Sequence, residues 1–269
     1  MRQTLVILGS GYTARFVLPL AERRYARVLA TSREPTQHLN HVALDRRVRF
    51  DLSEPSTWRH IPPETDLLWC FPAQPLELVQ QFAVDARLSS RRVAVLGSTS
   101  AYDVPMQAAD YPPPWVDETA PIDPIKPRVE GEEFLRTECG AIVLRVAGIY
   151  GPGRSPIDWI KTGRVGPSRK FVNLIHVEDL AEICLAALER GTPHEAYNVS
   201  DGTPRTWAEI CRRAQDCWGI QSATRSDADV PTGKRIANGK LLAMLQRSHR
   251  QLRHPDLWSA LDQLAAPTG

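Results

Sequence analysis

The sequence predicts an α/β protein built on a doubly wound parallel sheet, with a small C-terminal lobe that caps it. Three observations predict this class. Short runs such as Thr4-Leu5-Val6-Ile7-Leu8 are apolar without alternation, as in strands buried on both faces. These runs alternate with segments of helical spacing, which implies right-handed crossovers and an open parallel sheet. The first run ends in Gly9-Ser10-Gly11 and passes at once into a helical pattern.

That helix is expected over residues 13–24, where Ala14, Val17, Leu18 and Ala21 recur at three- and four-residue steps. Pro19 lies inside it and should kink it or shift its start. Further strands are expected at 27–31, 48–50, 67–71 and 93–96, with a helix over 76–88 between the last two. From Asp103 to Arg128 seven prolines exclude regular structure. A loop of that length in a compact domain is usually functional, and it reads as a wall over a site. A helix over 129–137 leads to a sixth strand at 141–146. Beyond Gly151 the elements shorten: a helix near Ile157, a strand at 171–175, a helix over 177–189, a strand at 197–199, a helix over 207–218 and a helical stretch from Lys240. The division expected is a core over 1–150 and a mixed α/β capping lobe over 151–269, interleaved with the core.

Composition narrows the function classes. With 269 residues, 42% hydrophobic and 24% charged, the chain should fold throughout. A net charge of +2 with scattered basic residues lacks the one-sided footprint of a nucleic-acid binder, so a small molecule is the expected partner. The five cysteines have no metal-ligand spacing and read as reduced and mostly buried. No apolar run reaches the roughly 18 residues of a membrane span, and the N-terminus lacks the layout of a cleaved signal, which argues for the cytoplasm. No metal site is expected.

Gly9, Gly11 and Ala14 form G-x-G-x-x-A between a strand and a helix. The pattern supplies a tight turn, a close backbone approach and a small residue where helix meets strand, with an anion at the helix N-terminus. This is the dinucleotide-binding, or Rossmann, signature. After the second strand an NAD-preferring site usually carries an acidic residue, but here stands Thr31-Ser32-Arg33. A carboxylate would repel a 2′-phosphate, whereas Arg33 offers a planar donor fork with Ser32 beside it. NADP(H) is therefore expected over NAD(H), the alternative being that Arg33 is a solvated surface residue.

Seven blocks together resemble an atypical branch of the extended short-chain dehydrogenases/reductases, within the NAD-dependent epimerase/dehydratase superfamily. They begin at Gly9 to Ala14, Asp51-Leu52, Ser98 to Tyr102 and Trp115 to Glu118. They continue at Leu144 to Gly153, Ile175 to Ala181 and Tyr197 to Asp201, in family order over about three quarters of the chain. The resemblance implies that Asp51 and Leu52 lie by the adenine, with Tyr12, Thr13 and Phe71 also on the cofactor side. It implies that the hydroxyl of Ser98, or next to it Thr99, polarises a substrate carbonyl, a role a strand-end serine can fill by donating to an oxyanion. A plain turn or cap hydroxyl is the alternative.

The departure from the family matters as much. The Tyr-x-x-x-Lys pair that moves the proton in hydride-transferring members is missing: Pro124 or Ile125 stands at the tyrosine and Arg128 or Val129 at the lysine. Tyr102 and Tyr150 are candidate substitutes, each with packing as the alternative. Lys126 could supply charge, and Lys234, Arg235 and Lys240 could hold an anionic substrate group or form a solvated face. His176 reads as a structural, helix-opening residue. Two functions follow: an NADP(H)-dependent oxidoreductase or epimerase-like enzyme on a small carbonyl or alcohol, or a catalytically silent dinucleotide-binding sensor or assembly protein. The partners expected are a small-molecule substrate and, at most, a second copy of the chain in a homodimer.

Overall fold

The computed structural model describes residues 2–104, 111–222 and 232–265. In chain order the first elements are β1 (Arg2–Leu8), α1 (Tyr12–Ala21), β2 (Tyr25–Ser32), α2 (Pro35–His38), β3 (Arg47–Arg49), β4 (Asp66–Trp69), α3 (Leu76–Asp85) and β5 (Val93–Ser98). Then come β6 (Trp115–Val116), α4 (Pro127–Cys139), β7 (Ile142–Val146), β8 (Gly148–Tyr150), α5 (Pro156–Lys161), β9 (Phe171–Val172), β10 (Leu174–His176) and α6 (Val177–Arg190). The chain continues through β11 (Ala196–Val199), β12 (Arg205–Thr206), α7 (Trp207–Trp218), β13 (Arg235–Ile236), α8 (Gly239–Gln246) and α9 (Leu257–Ala265).

Seven strands form the main sheet in the order β11-β7-β5-β4-β1-β2-β3, and every pairing in it is parallel. The alternation of side chains along β1 serves two cores at once. Leu5 and Ile7 pack with Ala14 and Val17 of α1 and with Leu180 and Cys184 of α6. Val6 and Leu8 pack on the other face with Val79 and Phe82 of α3 and Leu135 of α4. All four strand residues are fully buried, which explains the unbroken apolar run. Burial of each such side chain stabilises the fold by about 1.5–3 kcal/mol. On that second face Gly131 lets α4 approach closely, since a Cβ there would lie 1.9 Å from the Ala73 carbonyl oxygen.

A third core joins Tyr150, Ile157, Ile210, Ala214 and Leu261, all from the C-terminal part of the chain. The same part also enters the main sheet, because β11 is its edge strand and α6 packs against α1. Thr206 and Glu209 close a reciprocal capping box at the start of α7.

Local departures from the sequence reading have local causes. The run at 171–175 divides because the Asn173 side chain bonds the Lys234 carbonyl at 2.9 Å and the Ile236 N–H at 2.8 Å. Its halves then pair with different strands, β9 with β12 and β10 with β8. The helix from Leu76 stops at Asp85, and Arg87 follows with φ of 50°. Pro19 stays within α1, which ends two residues later. Within 103–128, β6 pairs with β13 in parallel, while 105–110 lie outside the described residues. Among the described residues no helix is long and apolar enough to cross a membrane.

Candidate functional site

The chain leaves β1 for β2 and β3 on one side and returns to β4 on the other. This reversal opens a crevice at the carboxyl ends of β1 and β4, where ligands bind in open α/β sheets. A cleft of about 610 Å³ occupies that position. Gly9, Ser10 and Gly11 form its floor, Ser32 and Arg33 one wall, and Asp51, Leu52 and Phe71 further parts of the lining.

The two glycines of the turn answer different needs. Gly9 has φ of 85°, donates its N–H to Thr31 Oγ1 at 2.9 Å, and would place a Cβ 2.8 Å from the Phe71 ring. The fold itself therefore requires it. Gly11, at the N-cap of α1, has φ of −79° and ψ of −157°, and a Cβ there would meet nothing within 4 Å. Protein packing leaves that space free, and Gly11 lines the cleft. The first turn of α1 carries no acidic residue and no side-chain cap, so its N–H groups and positive dipole end stay available. Ser10 Oγ is buried with no hydrogen-bond partner among the described residues, which costs about 1–3 kcal/mol unless a ligand or water satisfies it. An open Cβ position, free helix N–H groups and an orphaned hydroxyl fit a phosphate-bearing ligand.

Tyr12, Thr13 and Ala14 continue from this turn into the helix. Thr13 and Ala14 are buried, and the Tyr12 hydroxyl donates to the Pro152 carbonyl at 3.0 Å. Their side chains hold α1 in place, and none of the three is among the residues that line the cleft. At the end of β2, Ser32 Oγ accepts the Glu34 N–H at 3.1 Å and lies 2.9 Å from His38 Nδ1. Arg33 is exposed beside it. Asp51 accepts from the Ser53 hydroxyl at 2.6 Å and the Ser53 N–H at 2.9 Å. The Ser53 hydroxyl bond holds the Asp51 carboxyl below the usual carboxylate range, assisted by Arg33 and Arg49 and opposed by burial. Phe71 is braced by Trp69 at 4.9 Å and Phe50 at 6.3 Å between ring centroids. Arg15, Gln37, His38 and Gln74 also line the cleft and were not found from sequence. Gln37 and His38 sit on a four-residue helix too short to leave a periodic pattern.

The end of β5 carries the second group of residues. Ser98 Oγ accepts the Ser100 N–H at 3.1 Å as the cap of a short turn, and its own hydrogen remains free to donate. Lysines clamp this turn from two sides. Lys234 Nζ donates to the Thr99 carbonyl at 2.8 Å and Lys126 Nζ to the Ser100 carbonyl at 2.7 Å, and both pair with Asp103. Lys126 thus holds the turn rather than standing free in solvent. Arg128 pairs with Glu132 at 2.9 Å within α4 and donates to the Leu96 carbonyl at 3.3 Å, which fastens α4 to β5.

The two tyrosines are enclosed. Tyr102 donates to Asn198 Oδ1 at 2.7 Å and accepts from Arg145 at 2.8 Å, and burial pushes its pKa up against the pull of Arg145. Tyr150 is fully buried, and burial, with Asp201 and Asp179 nearby, drives its pKa far up. His176 caps α6 through Nδ1, which accepts the Glu178 N–H at 3.4 Å, and its ring lies 3.8 Å from that of His254. Arg235 stacks over Trp115 at 5.0 Å, and Lys240 pairs with Glu195.

No protein-family model matches the chain. Protein YeeZ of Escherichia coli strain K12 is 33% identical over 133 residues, a stretch spanning 46% of this chain and 45% of that relative. Among solved structures, a functionally unknown conserved protein from Silicibacter pomeroyi is 27% identical with a TM-score of 0.71, covering 97% of this chain and 98% of that one. A putative NAD-dependent epimerase/dehydratase from Methylobacillus flagellatus reaches a TM-score of 0.75 at 22% identity, covering 98% and 97%. A human epimerase family protein, SDR39U1, solved with NADPH, reaches 0.65 at 19% identity, covering 98% and 99%. The chain has the fold of the epimerase/dehydratases.

Proposed function

We propose that a chain with this fold binds NADP(H) and acts as an oxidoreductase or epimerase-like enzyme on a small carbonyl or alcohol substrate. The observation that carries the cofactor preference is the end of β2, where Ser32 and Arg33 line the cleft and residues 31–33 include no carboxylate. A dianionic 2′-phosphate meets donors there instead of repulsion. The turn at Gly9 to Gly11 and the Ser10 hydroxyl would hold the pyrophosphate, with Asp51 and Phe71 toward the adenine. The bound nicotinamide would supply or accept a hydride. Ser98, free to donate its hydroxyl hydrogen, would stabilise the charge that develops on a substrate oxygen. The relative solved with NADPH supports the nicotinamide reading. Five free thiols and the absence of a spanning helix among the described residues support a cytoplasmic location.

One observation favours a second reading, a silent dinucleotide-binding sensor. The hydroxyls of Tyr102 and Tyr150 are both buried and pushed up, so neither is poised to exchange a proton near neutrality. The cofactor claim is tested by titrating NADPH and NADH against the protein and its Arg33→Ala variant. NADPH should bind tighter by roughly tenfold or more, and the variant should lose that margin, since a charge-assisted bond to phosphate carries about that much. Tighter NADH binding overturns the proposal.

A further inference from the structure

Outside the cleft, a cluster of metal-ligating side chains has no part in the proposed reaction. β10 delivers His176 to the start of α6, the first turn of α6 adds Glu178, and the segment before α9 brings His254 to both. Glu178 and His254 stand 76 residues apart, so no spacing in the sequence marks the set. One nitrogen of each ring and one Glu178 carboxylate oxygen lie within 4.8 Å of one another. His254 Nε2 is 3.0 Å from Glu178 Oε2, and the two ring centroids are 3.8 Å apart. Two backbone bonds fix the place of His254: buried Asp179 accepts the Arg253 N–H at 2.7 Å and the His254 N–H at 2.9 Å, one on each oxygen. His176 is also buried, its ring edge-on to Tyr150 at 5.1 Å, while Glu178 is partly exposed, so solvent reaches the group.

We propose that His176, Glu178 and His254 form a binding site for a divalent transition-metal ion of the zinc class, which fastens the segment before α9 to the start of α6. None of the three lines the cleft, so the site stands apart from the NADP(H) reading.

Two imidazoles and a carboxylate suit that class, whereas calcium and magnesium take oxygen ligands. Ligands at about 2.0–2.1 Å from a tetrahedral ion stand roughly 3.3 Å from one another, close to the His254–Glu178 separation, so modest side-chain movements complete the set. Three protein ligands leave a fourth position for water. The charge of the ion meets Glu178 and Asp179 in the first turn of α6, which offset the positive end of the helix dipole. Binding makes one exchange at His176. A neutral imidazole has a single lone pair, which here accepts the Glu178 N–H in a long 3.4 Å bond. A coordinate bond replaces that weak cap, whichever ring nitrogen ligates.

The test is calorimetric titration of Zn²⁺ into the reduced, chelator-treated full chain and into Glu178→Gln and His254→Gln, with thermal melts and the visible spectrum of the Co²⁺-loaded parent. Expected is one Zn²⁺ per parent chain and at least about tenfold weaker binding in each variant, a loss that even the outer partners of a bound metal produce. Zn²⁺ at about 100 times its Kd should raise the parent melting temperature by roughly 5 °C, and those of the variants by about half as much or less. Co²⁺ should give the d–d bands of a four-coordinate site without a thiolate charge-transfer band, which separates this site from the five free cysteines. Parental far-UV circular dichroism in the variants shows that a lost ligand, not a lost fold, weakens the binding. No Zn²⁺ binding by the parent, binding unchanged in both variants, or a thiolate band with Co²⁺ overturns the proposal.

Discussion

Replacing Gly11 by alanine separates a glycine kept for folding from one kept for a ligand. The backbone at Gly11 is in a region open to any residue, and an added methyl meets no atom within 4 Å. Alanine is a poorer N-cap than glycine, at a cost of about 0.5–1 kcal/mol. Reduced freedom of the unfolded chain offsets this by about 0.4–1 kcal/mol. The net change in stability is therefore near zero, and the melting temperature should move by less than about 2 °C. Gly9→Ala is the contrast. Its φ of 85° and the 2.8 Å approach to Phe71 force a left-handed alanine against a ring braced by Trp69 and Phe50. A left-handed residue with a Cβ costs roughly 1–2 kcal/mol before any movement of the ring. A fall of several degrees should follow, at roughly 2 °C per kcal/mol. Thermal unfolding and NADPH titration by fluorescence would be run on both variants. Gly11→Ala should melt with the parent chain yet bind NADPH at least tenfold more weakly, because the methyl stands where the pyrophosphate approaches the backbone. Parental NADPH affinity in Gly11→Ala would refute the placement of the pyrophosphate over this turn.

Three further outcomes are expected. Burial beside His254 lowers the His176 pKa to about 4, below its unfolded value, so its contribution to stability is present above about pH 6.5 and is lost as pH falls toward 4. His176→Asn, which keeps an N-cap acceptor, should flatten that part of the stability profile in thermal melts, and an unchanged slope would count against the assignment. Asp201 behaves oppositely. Burial raises its pKa to about 6, so the ionised form opposes folding as pH rises through that value, and Asp201→Asn should stabilise the protein by about 1–2 kcal/mol at pH 8 but not at pH 4. Tyr102→Phe strands Arg145 and Asn198 without their shared hydroxyl and should destabilise by about 1–3 kcal/mol. A variant that melts normally but loses turnover would instead mark Tyr102 as the acid.

The parts of this molecule legible in its sequence are those fixed by local chemistry. The turn at Gly9 to Gly11 needs a residue tolerant of positive φ and a short step into a helix, and both needs are written in adjacent residues. β1 declared itself because it is buried on both faces. The readings that went astray depend on distant partners. Asn173 splits an apolar run only because Lys234 and Ile236 arrive from 60 residues away. Lys126 reads from sequence only as a source of charge, yet the Ser100 carbonyl and Asp103 engage it. His38 left no trace, because a single turn of helix has no periodicity and its partner Ser32 sits at the end of a strand. The enclosed hydroxyls of Tyr102 and Tyr150 depend on packing that residue identity alone does not encode.

The most direct test of the central claim is a crystal structure of the protein with NADPH. The pyrophosphate should lie against the backbone from Gly9 through the first turn of α1, with Ser10 Oγ bonded to it and the 2′-phosphate between Ser32 and Arg33. A dinucleotide bound elsewhere, or one whose 2′-phosphate projects into solvent away from Arg33, would contradict the account.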